Sequence, residues 1–194
     1  MLVTRNVEVE TDQFEVGDVI EFELKNGEKV KAMAAHKVDA GIIFIYIDLL
    51  PEYRPMNKTD KNAGGWKKCD LRKWLNEKHL QQFPDDLRAR MIPTDTGDLL
   101  RIPTEKEIFG NNRIADEVED ESVQQFAIMK EPRNRIAMFN DGTTDWYWLQ
   151  NTVSASDFAF VLTGGRAGHA RASHSWVGVR PLFLLSSDPT ADRR

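Results

Sequence analysis

Residues 145–185, DWYWLQNTVSASDFAFVLTGGRAGHARASHSWVGVRPLFLL, decide how the chain is read. The stretch opens on Trp146, Tyr147 and Trp148 and closes on Gly178-Val179-Arg180-Pro181 and an apolar run. From Ala167 it alternates, with His169, Arg171, Ser173 and Ser175 on one side and Ala170 and Ala172 on the other. That period of two predicts a strand with one covered and one wetted face. Small alanines on the covered side keep the backbone close to its support. The outward row offers donors and acceptors without large apolar bulk. A rigid frame with a polar display surface suits binding better than chemistry.

Upstream, Ile20, Phe22 and Leu24 alternate with Glu21, Glu23 and Lys25, and Asn26-Gly27 predicts a hairpin with positive φ at both central positions. Val30 to Ala35 returns as the second strand. Ile42 to Ile47 is apolar on both faces and predicts a central, covered strand. Pro51 to Gly65 reads as a polar connection. A helix is expected from Asp70, taken as its N-cap, with Leu71, Trp74 and Leu75 on one face. Pro84 at N1 predicts a second helix through Met91, and Thr104 with Glu107 a capping box for a third. Ser122 with Gln125 repeats that pattern. Asp116 to Glu121 reads as a solvated loop, and Asn140-Asp141-Gly142 as a turn into the aromatic segment. Strands at both ends with helices between them predict an α+β domain.

The chain has 194 residues, enough for one domain with a substantial core, and ten Phe and five Trp to fill it. A net charge of −5 argues against a nucleic-acid partner. One cysteine, Cys69, excludes an internal disulfide, and with four scattered histidines it makes no zinc cluster. No apolar run reaches membrane-spanning length, so no membrane insertion is expected. The charged N-terminus predicts synthesis in the cytoplasm without a signal peptide.

Five stretches occur in a telling order: Val16-Gly17-Asp18; Trp66 leading into Asp70-Leu71-Arg72-Lys73-Trp74-Leu75-Asn76; Leu100-Arg101-Ile102-Pro103-Thr104 with Glu107; Tyr147-Trp148-Leu149; and Gly178-Val179-Arg180-Pro181. Together they resemble a domain family common in Gram-positive bacteria and their phages that looks like a C-type-lectin-like fold. Its relatives include the variable proteins of diversity-generating retroelements, among them the phage major tropism determinant, and more distantly the formylglycine-generating enzymes. The resemblance implies small twisted antiparallel sheets with flanking helices and an exposed ligand surface late in the chain. Carried over by position, that surface comprises Asn151, Asp157, Phe160, Arg166, His169, Arg171, Ser173, His174 and Trp176. The family's usual Trp-Trp-Leu-Arg-Ser stands here as Tyr147-Trp148-Leu149-Gln150-Asn151, without the Arg.

Several residues carry a structural reading beside a functional one. Trp146, Tyr147 and Trp148 offer a stacking platform for sugars, but an aromatic triplet in a strand puts a ring on each face, and Trp148 is expected in the core. Trp176 reads equally as surface anchor or core. His169 and His174, five apart without a fixed carboxylate, are expected to be surface histidines rather than a metal pair. Ser173 and His174, as neighbours on a strand, point to opposite faces and form no triad. Arg180 is expected in a structural ion pair with Asp145 or Asp157. Gly164-Gly165 reads as a turn rather than a phosphate cradle. The resemblance attributes the oxidase chemistry of the formylglycine-generating relatives to a cysteine pair. Cys69, at a helix start where a thiol pKa should fall, has no partner cysteine. Nor do the late loops contain a calcium-type ligand cluster.

The expectation is therefore an N-terminal arm or edge strand over 1–15, a C-type-lectin-like domain over 16–185 and a polar tail over 186–194. The domain is expected to be non-enzymatic and cofactor-free. It would recognise a cell-surface protein or glycan as part of a phage particle or bacterial surface assembly. A homo-oligomer, for instance a trimer, would add avidity. The competing expectation is a structural virion protein, a capsid decoration or tail component docking on virion neighbours through residues 1–15.

Overall fold

Ten strands and a few short helices make up the computed structural model, which describes residues 11, 13–94, 96–116 and 121–186. The strands are β1 Val19–Glu23, β2 Lys29–Val38, β3 Gly41–Tyr46, β4 Met91–Ile92, β5 Ala137–Met138, β6 Thr144–Asp145, β7 Tyr147–Thr152, β8 Asp157–Val161, β9 Ala167–Arg171 and β10 Leu182–Ser186. They form a five-stranded sheet in the order β1-β2-β3-β10-β4, the pair β5-β6, and the three-stranded sheet β7-β8-β9. All pairings within these sheets are antiparallel. This is an α+β architecture of small antiparallel sheets.

β3 is the middle strand, and each of its six residues is buried. Its alternate side chains feed two cores, as the two-residue repeat of a strand requires. Ile42, Phe44 and Tyr46 join Phe183, Trp148, Phe158 and Phe160. Ile43 and Ile45 join Leu182, Tyr147, Leu149, Ala159 and Val161. The β7-β8-β9 sheet is thus divided between both cores, which seats it firmly against the rest of the molecule.

The β1–β2 hairpin departs from expectation in its turn. Only Gly27 has positive φ, at 87°, and among the described residues no non-glycine does. Gly27 N–H donates to Leu24 O at 2.8 Å and Leu24 N–H to Glu28 O at 2.8 Å, a three-residue loop with its glycine in the left-handed region. The same bonding pattern recurs at Phe139–Thr143 and Leu162–Arg166. The Gly164-Gly165 turn is accordingly a hairpin tip.

The helices are α1 Gly65–Lys68, α2 Asp70–Trp74, α3 Asp85–Ala89 and α4 Glu105–Phe109. Cys69, not Asp70, caps α2, its Sγ accepting from Arg72 N–H at 3.3 Å. Asp70 instead accepts from Lys58 N–H at 3.0 Å. Burial pushes the Cys69 thiol up to about 12, the reverse of the lowered pKa expected at a helix start. Desolvation outweighs the helix-end amides here.

α2 continues into a π-helical turn, Leu75–His79, and a 3-10 turn, Leu80–Gln82. The wider turn brings His79 inward, where it stacks on Trp74 with centroids 5.5 Å apart and meets Tyr46 Oη at 3.2 Å through Nε2. Burial, followed by the nearby Arg54 charge, lowers its pKa to about 4. Pro84 is the N-cap of α3 rather than its first residue. The Thr104–Glu107 capping box forms as expected. The one expected at Ser122 does not: the Gln125 amide donates to Ile108 O and Met129 O, and a 3-10 turn starts at Ala127.

Residues 1–10, 12, 95, 117–120 and 187–194 lie outside the described residues, and with them most of the expected N-terminal arm, the centre of the acidic loop and the C-terminal tail beyond Ser186. Among the described residues no helix is long and apolar enough to cross a membrane.

Candidate functional site

β9 is an edge strand, paired on one side with β8 through Asp157↔Arg171, Ala159↔His169 and Val161↔Ala167. Because His169, Arg171 and Asp157 share one pleat face, they meet at one end of the hairpin. His169 Nδ1 lies 3.0 Å from Asp157 Oδ2. Ser156 Oγ donates to the other carboxylate oxygen at 2.8 Å, and Asp157 N–H donates to Ser154 Oγ at 3.1 Å.

Beside this pair stands a residue that sequence reading had not singled out. Asp60 accepts from the Ser173 hydroxyl and, at 3.4 Å in each case, from Ser173 N–H and an Arg171 guanidinium nitrogen. The Ser173 hydroxyl is the main reason the Asp60 carboxyl is held below its ordinary range. Asp157 with His169, and Asp60 with Arg171 and Ser173, are therefore two bonded groups side by side at this end of the hairpin, joined only by the backbone pairing of Asp157 with Arg171.

Asp60 is delivered by residues 51–62, which are a strap rather than a simple connection. Arg54 N–H donates to Val177 O at 3.4 Å, Asn57 N–H to Ala172 O at 2.9 Å and Asn62 N–H to Ala155 O at 3.4 Å. The Asn62 amide reaches Ser154 O at 2.5 Å and Asp157 O at 3.1 Å. No local periodicity marks these residues, because their bonds run to chain about a hundred positions away.

The expected strand through Ser175 is shorter than its alternation suggests. β9 ends at Arg171; one further bond, Ala172 N–H to Ser156 O at 2.7 Å, continues its pairing before a turn with His174 N–H on Arg171 O at 2.9 Å takes the chain away. Ser173 and His174 are thus turn residues, not neighbours on a strand. Arg166 is exposed at the opposite tip of the hairpin, apart from these polar groups.

Two of the expected ligand residues are not surface residues. Phe160 is 4% exposed. It stacks on Trp146, with centroids 4.9 Å apart and planes 6° from parallel, and meets the edge of Trp148. It pairs across the sheet with Trp148 and with Gly168, where a Cβ would come within 2.7 Å of the ring. Both faces of β8 are covered, and Phe160 shares with Phe158 the face that enters the core of Phe44 and Trp148. Asn151 is also buried, and its Oδ1 accepts from Glu105 N–H at 2.7 Å, holding the first turn of α4 against β7.

Other family-like stretches serve the same clamp. Arg101 grips Glu107 with two bonds of 2.7 and 2.5 Å, and the Gln150 side chain donates to Ile102 O at 2.5 Å. Trp148 is fully buried, as expected, with its indole N–H on Arg54 O at 2.8 Å.

Arg180 is buried but pairs with neither Asp145 nor Asp157. Its guanidinium donates to Tyr46 O and Asn134 O at 2.8 and 2.9 Å and lies over the Tyr147 ring. Asp157 is taken by His169, and Asp145 accepts from Tyr53 Oη at 2.5 Å and from Trp146 N–H at 2.7 Å.

Trp176 is 68% exposed, the most open large hydrophobic side chain among the described residues. Its ring lies 5.9 Å from that of Tyr53, tilted by 59°, and Tyr53 meets Phe139 edge-on at 5.3 Å. Among the described residues no group of three or more His, Cys, Asp or Glu side chains is placed to hold a metal ion.

The fold and this surface define an α+β domain whose late segment combines fixed polar groups with an open aromatic group. Residues 40–187 match the family described as a domain of unknown function (DUF6273), and the chain belongs to that family. No curated protein and no solved structure matches the chain.

Proposed function

We propose that this chain is a non-enzymatic binding domain of C-type-lectin-like fold that presents the β9 end of its small sheet to a partner. The partner is a protein or glycan on a cell surface, met from a phage particle or bacterial surface assembly. The observation that carries the reading is the pair of bonded polar groups at this end, Asp157 with His169 and Asp60 with Arg171 and Ser173. His169 and Arg171 are exposed, while Phe158, Ala159 and Val161 on the adjoining strand are wholly buried. Polar groups held in place before contact lose less freedom on binding, which is how a small surface reaches useful affinity. Trp176 is the anchor of the surface, with Asp60 added to the contact set and Phe160 and Asn151 reassigned to its support.

The test is binding of the purified protein to a panel of bacterial cells and glycans beside two variants. One carries His169→Ala, Arg171→Ala and Ser173→Ala; the other carries Trp176→Ala. Selective binding that either variant loses, with its melting temperature unchanged, supports the reading. Equal binding by all three proteins, or binding by none, overturns it.

A further inference from the structure

Of the four histidines only His79 is buried, at 7% exposed, and it lines a cleft of about 270 Å³. The cleft is bounded by the β1–β2 turn, by residues 50–52 and by the helical turns that follow α2. The π-helical turn sets Trp74 and His79, five positions apart, in a stack 18° from parallel. Turns of this kind are frequent at functional sites. The Arg54 guanidinium lies over the same indole at 3.7 Å, so the stack is held and the imidazole is fixed in orientation.

The position of the imidazole proton follows from its partner. His79 Nε2 meets Tyr46 Oη at 3.2 Å, the one hydrogen bond that either side chain makes among the described residues. Tyr46 is 3% exposed, and a buried hydroxyl hydrogen needs an acceptor, so the phenol donates to Nε2. Burial, followed by the Arg54 charge, keeps the ring neutral at physiological pH. Its single proton therefore sits on Nδ1. Nδ1 has no hydrogen-bond partner among the described residues, and it is not sealed in the interior. The cleft thus holds a fixed N–H donor that the fold does not use.

The rest of the lining narrows the ligand. Glu28 is half-buried and forms no ion pair among the described residues. Glu52 is met by Arg54 at 2.6 Å, and Lys78 brings an ammonium to the rim. The charges of Glu28 and Glu52 are balanced by those of Arg54 and Lys78, so a charged ligand would give up its hydration for no net attraction. Donors at His79 and Lys78, an acceptor at Glu28 and an amide at Gln82 surround an apolar wall of Leu50, Pro51 and Trp74. A hydroxyl both donates and accepts, and a pyranose carries hydroxyls around its whole perimeter with C–H groups between them. A simple amide offers its polar atoms at one end only. We propose that this cleft binds a single uncharged pyranose, one hydroxyl oxygen accepting from His79 Nδ1 and another hydroxyl donating to Glu28. The cleft shares no residue with the β9 surface, so the inference stands apart from that reading.

The test is an NMR titration of the full chain that follows the Trp74 indole and His79 imidazole signals. Before any probe is added, long-range proton–nitrogen correlations should show His79 as the neutral Nδ1–H tautomer. The neutral probes are glucose, galactose, mannose and N-acetylglucosamine; the controls are glucuronate, glucosamine and acetamide. At least one neutral sugar should shift both signals saturably in the millimolar range, as for a small open polar site. The controls should bind at least about tenfold more weakly, because they bring an unbalanced charge or fill only part of the rim. His79→Phe, which keeps a ring in the stack but removes the donor, should abolish the response. Glu28→Gln should weaken it severalfold, and because the Glu28 side chain holds no part of the fold, this variant decides the matter even if His79→Phe does not fold. The Nε2–H tautomer, no saturable shift with any neutral sugar, equal binding of a control, or full affinity in Glu28→Gln would overturn the assignment. Trp176→Ala should leave sugar binding unchanged, so the failure of this site and the failure of the β9 surface are read separately.

Discussion

Two aromatic groups built largely from one segment meet opposite fates. Trp146, Trp148 and Phe160 interlock around the β7–β8 pair, with Trp148 wholly buried and Phe160 stacked on Trp146. Trp176, with Tyr53 and Phe139, stands open, although it lies only sixteen residues beyond Phe160. Composition does not separate them. Trp148 and Phe160 sit on paired strands whose pleat turns them into the core shared with β3 and β10, and the partly buried Trp146, between β6 and β7, stacks on Phe160; Trp176 instead follows the end of β9, where no strand faces it. Large apolar side chains late in this chain therefore serve either to hold the surface or to form it, according to whether their backbone is paired.

The largest test of that contrast is Phe160→Ala. Removing a buried ring should cost about 3–5 kcal/mol, read as a fall in the midpoint of chemical unfolding. A cost near zero would place Phe160 with the surface set after all. The second test uses pH on the supporting side. The His79 pKa of about 4 lies below its ordinary 6.5, so the unfolded chain binds the extra proton between these values. Stability from His79 is full above the ordinary value and is lost as pH falls through that window, on the order of 2–3 kcal/mol. Melting curves from pH 7 to 4 should show a smaller decline for His79→Gln than for wild type, and parallel curves would refute the buried neutral imidazole.

Asn151→Ala comes next, with an expected loss of about 1–3 kcal/mol because it leaves the Glu105 amide without its buried acceptor. Equilibrium unfolding measures this directly. A stable variant with altered ligand binding would return Asn151 to the contact set. The smallest expected effect is Trp176→Ala, which should change stability by less than about 0.5 kcal/mol in the same unfolding assay. A cost comparable to that of Phe160→Ala would erase the distinction between the two groups.

The candidate surface was legible in part. His169, Arg171, Ser173 and Asp157 came from alternation and position, and the structure brings them to one end of the β8–β9 hairpin. Phe160 is not a surface residue because β8 is covered on both faces, Phe158 and Phe160 entering one core and Ala159 and Val161 the other, which alternation alone does not reveal. Asp60 and Tyr53 were invisible because they lie in the stretch from Pro51 to Gly65, whose polar composition resembles any loop. Cys69 was misjudged electrostatically, since a helix-start position says nothing about the depth at which the helix is buried.

By itself the sequence determined the strand of continuous apolar residues at the centre, the hairpin glycines, the Thr104–Glu107 cap and the mixed α+β character. Each follows from local sterics or from a repeat of two, which neighbouring residues alone can express. Only the tertiary structure decided that the 51–62 strap would lock onto residues 154–157 and 172–177, and that Trp176 would stay open while Phe160 closed. Those outcomes depend on which distant backbone groups remain to be hydrogen-bonded once the sheets have formed, and no local pattern encodes that remainder.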